Sequence, residues 1–146
     1  MGSVKRGECM KFLKMKDPVS TLTHLVTLLA SAVAFGFLLW TAWGHLGNVL
    51  VAGVYGCSLL VLYSANTLYH WIKTTEKREA LLRKFDHLAI NLLIAGSATP
   101  VLYHGLRGLW RSSMLAGMWI VTVAACCVQL FLIKGQRWLY TMIYVL

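Results

Sequence analysis

The feature that most constrains this chain is a series of long apolar segments separated by short charged loops. The four complete segments span about residues 18–43, 49–72, 86–104 and 112–133. An α-helix of about 20 residues crosses the roughly 30 Å of bilayer hydrocarbon, so each segment is long enough to span a membrane. The chain is 58% hydrophobic and 13% charged, with a mean hydropathy of +0.65, which leaves too little polar surface for a soluble domain. The sequence predicts an all-α, polytopic transmembrane helix bundle.

The distribution of positive charge predicts the orientation of the bundle. The 14 Lys and Arg residues lie outside the apolar segments, within 5–16, 73–84, 107–111 and 134–137. All but Arg107 and Arg111 fall on the same side as the N-terminus, and Lys and Arg are enriched in cytoplasmic loops. We therefore expect residues 1–17 to form a basic cytoplasmic segment ahead of a transmembrane domain at 18–146, in the cell membrane. The net charge of +9 shows no basic stripe interleaved with aromatic residues, so nucleic acid is not an expected partner.

A fifth apolar segment begins at Trp138 and reaches Leu146. A helix over these residues would be about 13 Å long, less than half the thickness of the hydrocarbon. A helix that stopped there would leave its last carbonyl groups in lipid without hydrogen-bond partners. The sequence therefore predicts four complete helices and a partial fifth, and it indicates either a part of a longer protein or a degenerate short form of one.

Histidine and carboxylate side chains gather at the predicted cytoplasmic edge of the membrane. His70 lies near the end of the second segment, Asp86 opens the third, and His24 lies about two turns into the first. Such groups at the border of hydrocarbon are costly unless they face the protein interior, a partner or water. Imidazole and carboxylate are common zinc ligands, and a catalytic site needs about three protein ligands and an open position for water. We expect His70 and Asp86 to contact a metal, with His24 as a further candidate.

Asn66 lies four residues before His70 and so shares its helix face, where it is expected to orient a ligand or a bound water. Each candidate also has a structural alternative. A histidine at a helix end is often only an interfacial, hydrogen-bonded residue. Asp86, at the predicted start of a helix, would interact favourably with the macrodipole or pair with a neighbouring base. The small residues at 96–99 predict close helix packing rather than chemistry.

Three stretches carry these candidates in a fixed order. They are DPVSTLTH at 17–24, NTLYH at 66–70, and FDH at 85–87 followed by IAGSATP at 94–100. In this order they resemble the bacterial hemolysin III family, which is grouped with the progestin and adiponectin receptors and, more distantly, with the alkaline ceramidases. The resemblance covers essentially the whole chain, and about the first two-thirds of a seven-helix family member.

The resemblance implies a seven-helix bundle with a cytoplasmic N-terminus and a zinc site near the cytoplasmic face. His70 would be a ligand, and Asp86 would contact the metal-bound water. The other ligands would come from a His-x-x-x-His pair on the last helix, which is absent from these 146 residues. The chain also departs from the family pattern at Asn66, where the family has serine, and at Ala98, where tyrosine is usual. Asparagine hydrogen-bonds but cannot act as a hydroxyl.

The expected function is therefore zinc-dependent hydrolysis of an amide or ester in a lipid-like substrate by the full-length protein. In that reading His70 holds the metal, and Asp86 and Asn66 are the catalytic candidates, with Asp86 acting as base or orienting the water. Membrane lipids are the expected surroundings and the source of substrate. Two alternatives stay open, a pore-forming, cytolytic protein and a receptor or regulator without turnover. The polar groups lie at one edge rather than along a helix face, which weighs against a pore.

Overall fold

The computed structural model describes residues 16–131, which form four α-helices and no strand. The helices are α1, Pro18–Ala42; α2, Leu46–Trp71; α3, Glu76–Gly105; and α4, Gly108–Phe131. Each is long and apolar enough to cross a membrane. The all-α transmembrane bundle predicted from the sequence is thereby confirmed. The predicted partial helix at 138–146 and nearly all of the basic segment at 1–17 lie outside the described residues.

Each helix packs against the next one along the chain. The connections are short, so successive helices run antiparallel, and the start of α1, the end of α2 and the start of α3 meet at one end of the bundle. Large apolar side chains such as Val33 and Leu29 remain exposed on the outer face of α1. Apolar side chains that face outward are what a lipid solvent requires. The fold thus brings the start of α1, with His24, next to the end of α2, with His70.

Helix α3 begins at Glu76, ten residues before the predicted start at Asp86. The added residues are mostly Glu, Lys, Arg, Ala and Leu, which have high helix propensity, and Glu76 and Glu79 lie in the first turn, where the macrodipole favours a negative charge. Asp86 therefore lies about 15 Å along the helix rather than at its N-terminus. The macrodipole acts only within the first turn, so the alternative explanation of Asp86 as a dipole partner is wrong.

Small residues allow α2 and α3 to approach closely. Gly96 on α3 is buried, and a β-carbon added there would overlap the Oγ atom of Ser58 on α2 and lie 2.7 Å from its β-carbon. Gly56 on α2 is likewise covered by the ring of Phe35 on α1. Close packing at the small residues 96–99 is thus present in the structure, as the sequence predicted.

Helices α3 and α4 are joined by buried polar contacts. Asn91 Nδ2 donates a hydrogen bond of 3.0 Å to Gln129 Oε1, and Trp119 Nε1 donates one of 3.3 Å to Thr99 Oγ1. Inside hydrocarbon such contacts satisfy groups that lipid cannot. They hold α4 against α3 at two levels along the helix.

Candidate functional site

Helices α1 and α2 bring two imidazole rings together at the end of the bundle where α3 begins. His24 lies in the second turn of α1, and His70 lies in the last turn of α2. Their rings stack with centroids 5.3 Å apart and planes inclined by 20°. Because α1 and α2 are antiparallel neighbours, a residue near the start of one faces a residue near the end of the other. The structure therefore unites two of the residues that the sequence predicted for the site.

Asp17, which the sequence analysis did not single out, contacts His70 twice. Its Oδ2 atom lies 3.3 Å from His70 Nδ1, and its backbone N–H donates a hydrogen bond of 3.3 Å to the His70 carbonyl. A carboxylate only accepts hydrogen bonds, so in this contact His70 Nδ1 is the donor. The sequence carried one usable signal, a carboxylate just ahead of Pro18 at the start of the first helix.

Lys16 fastens the same segment to α3. Its Nζ atom donates a hydrogen bond of 2.7 Å to Glu79 Oε1 and lies 4.4 Å from the centroid of the Tyr69 ring. The hydrogen bond to Glu79 raises the pKa of the Lys16 ammonium above its ordinary value of 10.5. Lys16 is therefore charged at neutral pH, and the segment before α1 is held against both α2 and α3.

Asp86 lies on α3, at the same end of the bundle as the two imidazoles, and it is half-buried. Its Oδ1 atom is shielded from solvent and has no hydrogen-bond partner among residues 16–131. The rings of His24, His70 and His87 are close enough to act electrostatically on this carboxylate. A shielded carboxylate oxygen without a donor is costly, which makes it an expected contact point for a cation, a water or a substrate proton.

Asn66 is half-buried one turn before His70 on α2, as its spacing predicted. Its role in orienting a ligand or water is not decided by the fold and stays a prediction. Two further amide side chains, Asn91 on α3 and Gln129 on α4, are hydrogen-bonded to each other deeper in the bundle. The sequence analysis missed this pair. Both side chains are at least 95% buried, and Gln129 Nε2 has no hydrogen-bond partner within the described part of the chain.

The ligand types at this end of the bundle suit zinc, but the described residues supply too few of them to complete a zinc site. Two imidazoles and a carboxylate are groups that zinc prefers, and the Asp86 oxygen lacks a donor. Within residues 16–131, however, no three His, Cys, Asp or Glu side chains approach closely enough to hold a metal ion by themselves. A complete coordination sphere would therefore need at least one ligand from elsewhere.

Four spanning helices with histidine and carboxylate side chains gathered at one end define a multi-pass α-helical membrane protein with a polar centre near one membrane face. Residues 12–146 match the family model described as haemolysin-III related. The chain belongs to this family. No solved structure matches it significantly.

Two curated relatives match most of the chain. A hemolysin-3 homolog of Bacillus subtilis (strain 168) is 31% identical over 135 residues, which cover 91% of this chain and 63% of the relative. Hemolysin-3 of Bacillus cereus is 32% identical over 144 residues, which cover 97% of this chain and 65% of the relative. The chain thus spans just under two thirds of the length of these relatives.

Proposed function

We propose that the full-length protein is a metal-dependent membrane hydrolase that cleaves an ester or amide in a lipid-like substrate. The observation that carries this proposal is the shielded Oδ1 atom of Asp86, an acceptor without a donor, on the same end of the bundle as the stacked rings of His24 and His70. Family membership supports the proposal by resemblance, because the family is expected to hold zinc at this end of the bundle.

The residues of this chain would divide the work as follows. His70 would hold the cation through a ring nitrogen, together with ligands from outside residues 16–131. His24 is a further candidate, and its ring would have to turn out of the stack, because the nitrogen lone pairs of stacked rings do not converge on one ion. Zinc, when bound, supplies a Lewis acid that polarises a carbonyl group and acidifies water. Asp86 would accept the proton of the attacking water at Oδ1 and pass it to the leaving group, the role of a general base and then acid. Asn66 would orient the water or the substrate through its amide.

An apolar groove between α2 and α3 supports a lipid-like substrate. Its volume is about 510 Å³, and its lining is almost wholly apolar, from Leu60, Val61, Ser64, Ala65, Leu68, Leu82 and Phe85. Phe85 directly precedes Asp86, and Leu68 lies two residues before His70, so the groove and the polar centre share the same segments of α2 and α3. An acyl chain lying in this groove would keep an ester or amide group near the membrane face.

The test uses the purified full-length protein, with zinc quantified per chain and hydrolysis measured on a panel of ceramides, phospholipids and fatty-acid esters. We expect about one zinc per chain in the unmodified protein. His70→Ala should lose the zinc. Asp86→Asn should keep it and lower turnover by about 100-fold or more, the contribution typical of a general base.

Other results would redirect the proposal. Unchanged zinc content in His70→Ala would remove His70 from the site. Bound zinc without hydrolysis of any substrate would favour a receptor or regulator. Dye release from liposomes that persists after chelation would favour the pore-forming alternative, in which the metal has no part.

The N-terminus is proposed to be cytoplasmic, because the basic residues around 73–84 flank the end of α2 and the start of α3 on that side. Single cysteines at Thr75 and His45, in a background without native cysteines, mark opposite ends of α2. A membrane-impermeant maleimide should label Thr75→Cys only in inside-out vesicles and His45→Cys only in right-side-out vesicles. The reverse pattern would invert the topology.

A further inference from the structure

We propose that Asp17 is a positioning residue for His70: it holds the proton of the imidazole on Nδ1 and so presents the lone pair of Nε2 to a divalent cation. This inference rests on the proposed function, since it assigns a role toward the same metal. It concerns the segment before α1, whose carboxylate is joined to His70 across 53 residues of sequence.

Asp17 touches His70 through two separate groups, the carboxylate at Nδ1 and the backbone N–H at the carbonyl oxygen, each at 3.3 Å. The carbonyl of Asp17 in turn accepts hydrogen bonds from the backbone N–H and the hydroxyl of Thr21, at 2.9 and 2.8 Å. Lys16 adds its contacts with Glu79 and Tyr69. The segment that carries the carboxylate thus contacts all three of α1, α2 and α3.

The Asp17 side chain does not form the capping hydrogen bond that is usual at its position. Asp17 is the N-cap of α1, and an aspartate there normally accepts a hydrogen bond from a backbone N–H of the first turn. No such side-chain bond is formed. The carboxylate is turned to His70 instead, although 53% of its side chain is exposed and solvent is available to it. Orientation toward the imidazole is therefore a specific feature of this helix start.

The tautomer of His70 decides which of its ring nitrogens can bind a metal. A neutral imidazole carries one proton, and the nitrogen without it is the one that binds a metal. A carboxylate at Nδ1 places the proton there and leaves Nε2 as the ligand, the arrangement by which outer carboxylates orient metal-binding histidines. The stack with His24 further restricts rotation of the His70 ring. Tautomer and orientation of His70 are then both set before a cation binds.

The first measurement is the zinc dissociation constant of the full-length protein in detergent, determined by competition with a chromophoric chelator. Asp17→Ala should weaken zinc binding by about 10- to 100-fold, the loss typical of outer-shell partners. Asp17→Asn should lose less, because an amide oxygen still accepts from Nδ1–H. Glu76→Gln is the matched control: it removes an exposed carboxylate at the same end of the bundle and should leave zinc affinity unchanged.

The second measurement needs no metal. Nitrogen chemical shifts of His70 in the zinc-free protein, labelled at histidine, should report Nδ1–H in the unmodified chain and a shift toward Nε2–H in Asp17→Ala. The assignment would be overturned if Asp17→Ala bound zinc as tightly as the unmodified chain, or if His70 of the unmodified chain carried its proton on Nε2. If the unmodified protein takes up no zinc, the proposed function fails, and the His70 shifts still decide whether Asp17 sets the tautomer. Should Asp17→Ala not fold, Asp17→Leu, which is close to aspartate in size and has no acceptor, carries both measurements.

Discussion

The imidazole rings of His24 and His70 are stacked, with centroids 5.3 Å apart and planes within 20° of parallel, although they belong to different helices. A stack alone would need only flat rings, whereas a metal site needs their nitrogens. The two roles can be separated, because phenylalanine keeps the ring and has no nitrogen.

His24→Phe is therefore expected to preserve the bundle and to weaken zinc binding by the full-length protein. The loss should exceed the roughly 10- to 100-fold that outer-shell partners contribute, since a ligand itself is removed. Zinc competition and helical circular dichroism measure the two effects. His104→Phe, at the opposite end of α3, is the control and should change neither. Zinc binding of His24→Phe equal to that of the unmodified protein would leave His24 a packing residue.

Gly96→Ala is expected to destabilise the contact between α2 and α3. The new β-carbon would overlap Ser58, and overpacking of this kind costs about 1–3 kcal/mol. Gly53→Ala is the matched control on α2, because no atom lies within 4 Å of the β-carbon it would add. It should be neutral or stabilise by up to about 1 kcal/mol through helix propensity. Unfolding in mixed micelles gives both free energies; equal values for the two variants would contradict the close approach.

Asn91→Leu is expected to destabilise the α3–α4 contact by about 1–3 kcal/mol, because Gln129 Oε1 would lose its buried donor. Adding Gln129→Met should recover most of this loss, since replacing both partners of a buried hydrogen bond with apolar groups can be nearly neutral. The same unfolding assay completes a double-mutant cycle. Additive losses in the double variant would show that the two amides do not interact.

Lys16 and Glu79 should be joined by a water-soluble carbodiimide, which forms an amide only between an amine and a carboxylate in direct contact. The atoms are 2.7 Å apart, so peptide mass spectrometry should identify this cross-link between residues 63 positions apart. Lys16→Arg should abolish it, because a guanidinium group is not a substrate for the reagent. A cross-link from Lys16 to Glu76 alone would contradict the contact between Lys16 and Glu79.

The pH dependence of this contact follows from the raised pKa of Lys16. The folded protein favours the charged ammonium, so the stabilisation is complete below the ordinary value of 10.5 and is lost as the pH rises through the higher folded-state pKa. Changes of pH around neutrality should therefore leave the contribution of Lys16 to the free energy of unfolding unaltered, as measured in mixed micelles.

Hydropathy predicted four helices, and the structure has four that are long and apolar enough to cross a membrane, because apolar runs report membrane burial directly. It missed the first ten residues of α3, since a charged helix outside hydrocarbon has no apolar signal. Helix propensity over 76–85 and the two acidic residues of the first turn carried that information instead.

Two contacts could not be predicted from the sequence for a different reason. Asp17 meets His70, and Asn91 meets Gln129, across 53 and 38 residues respectively. No local periodicity encodes such pairs, because they depend on how helices rotate against one another about their long axes. His24 and His70 could be predicted as candidates only because both are titratable residues in apolar segments, where such a group is costly and needs an explanation.

The early start of α3 leaves only residues 72–75 between it and α2. The backbone therefore reverses direction within these four residues, and the end of α2, where His70 lies, cannot separate from the start of α3 unless a helix end unwinds. Any opening of the bundle at this end would have to move α2 and α3 together.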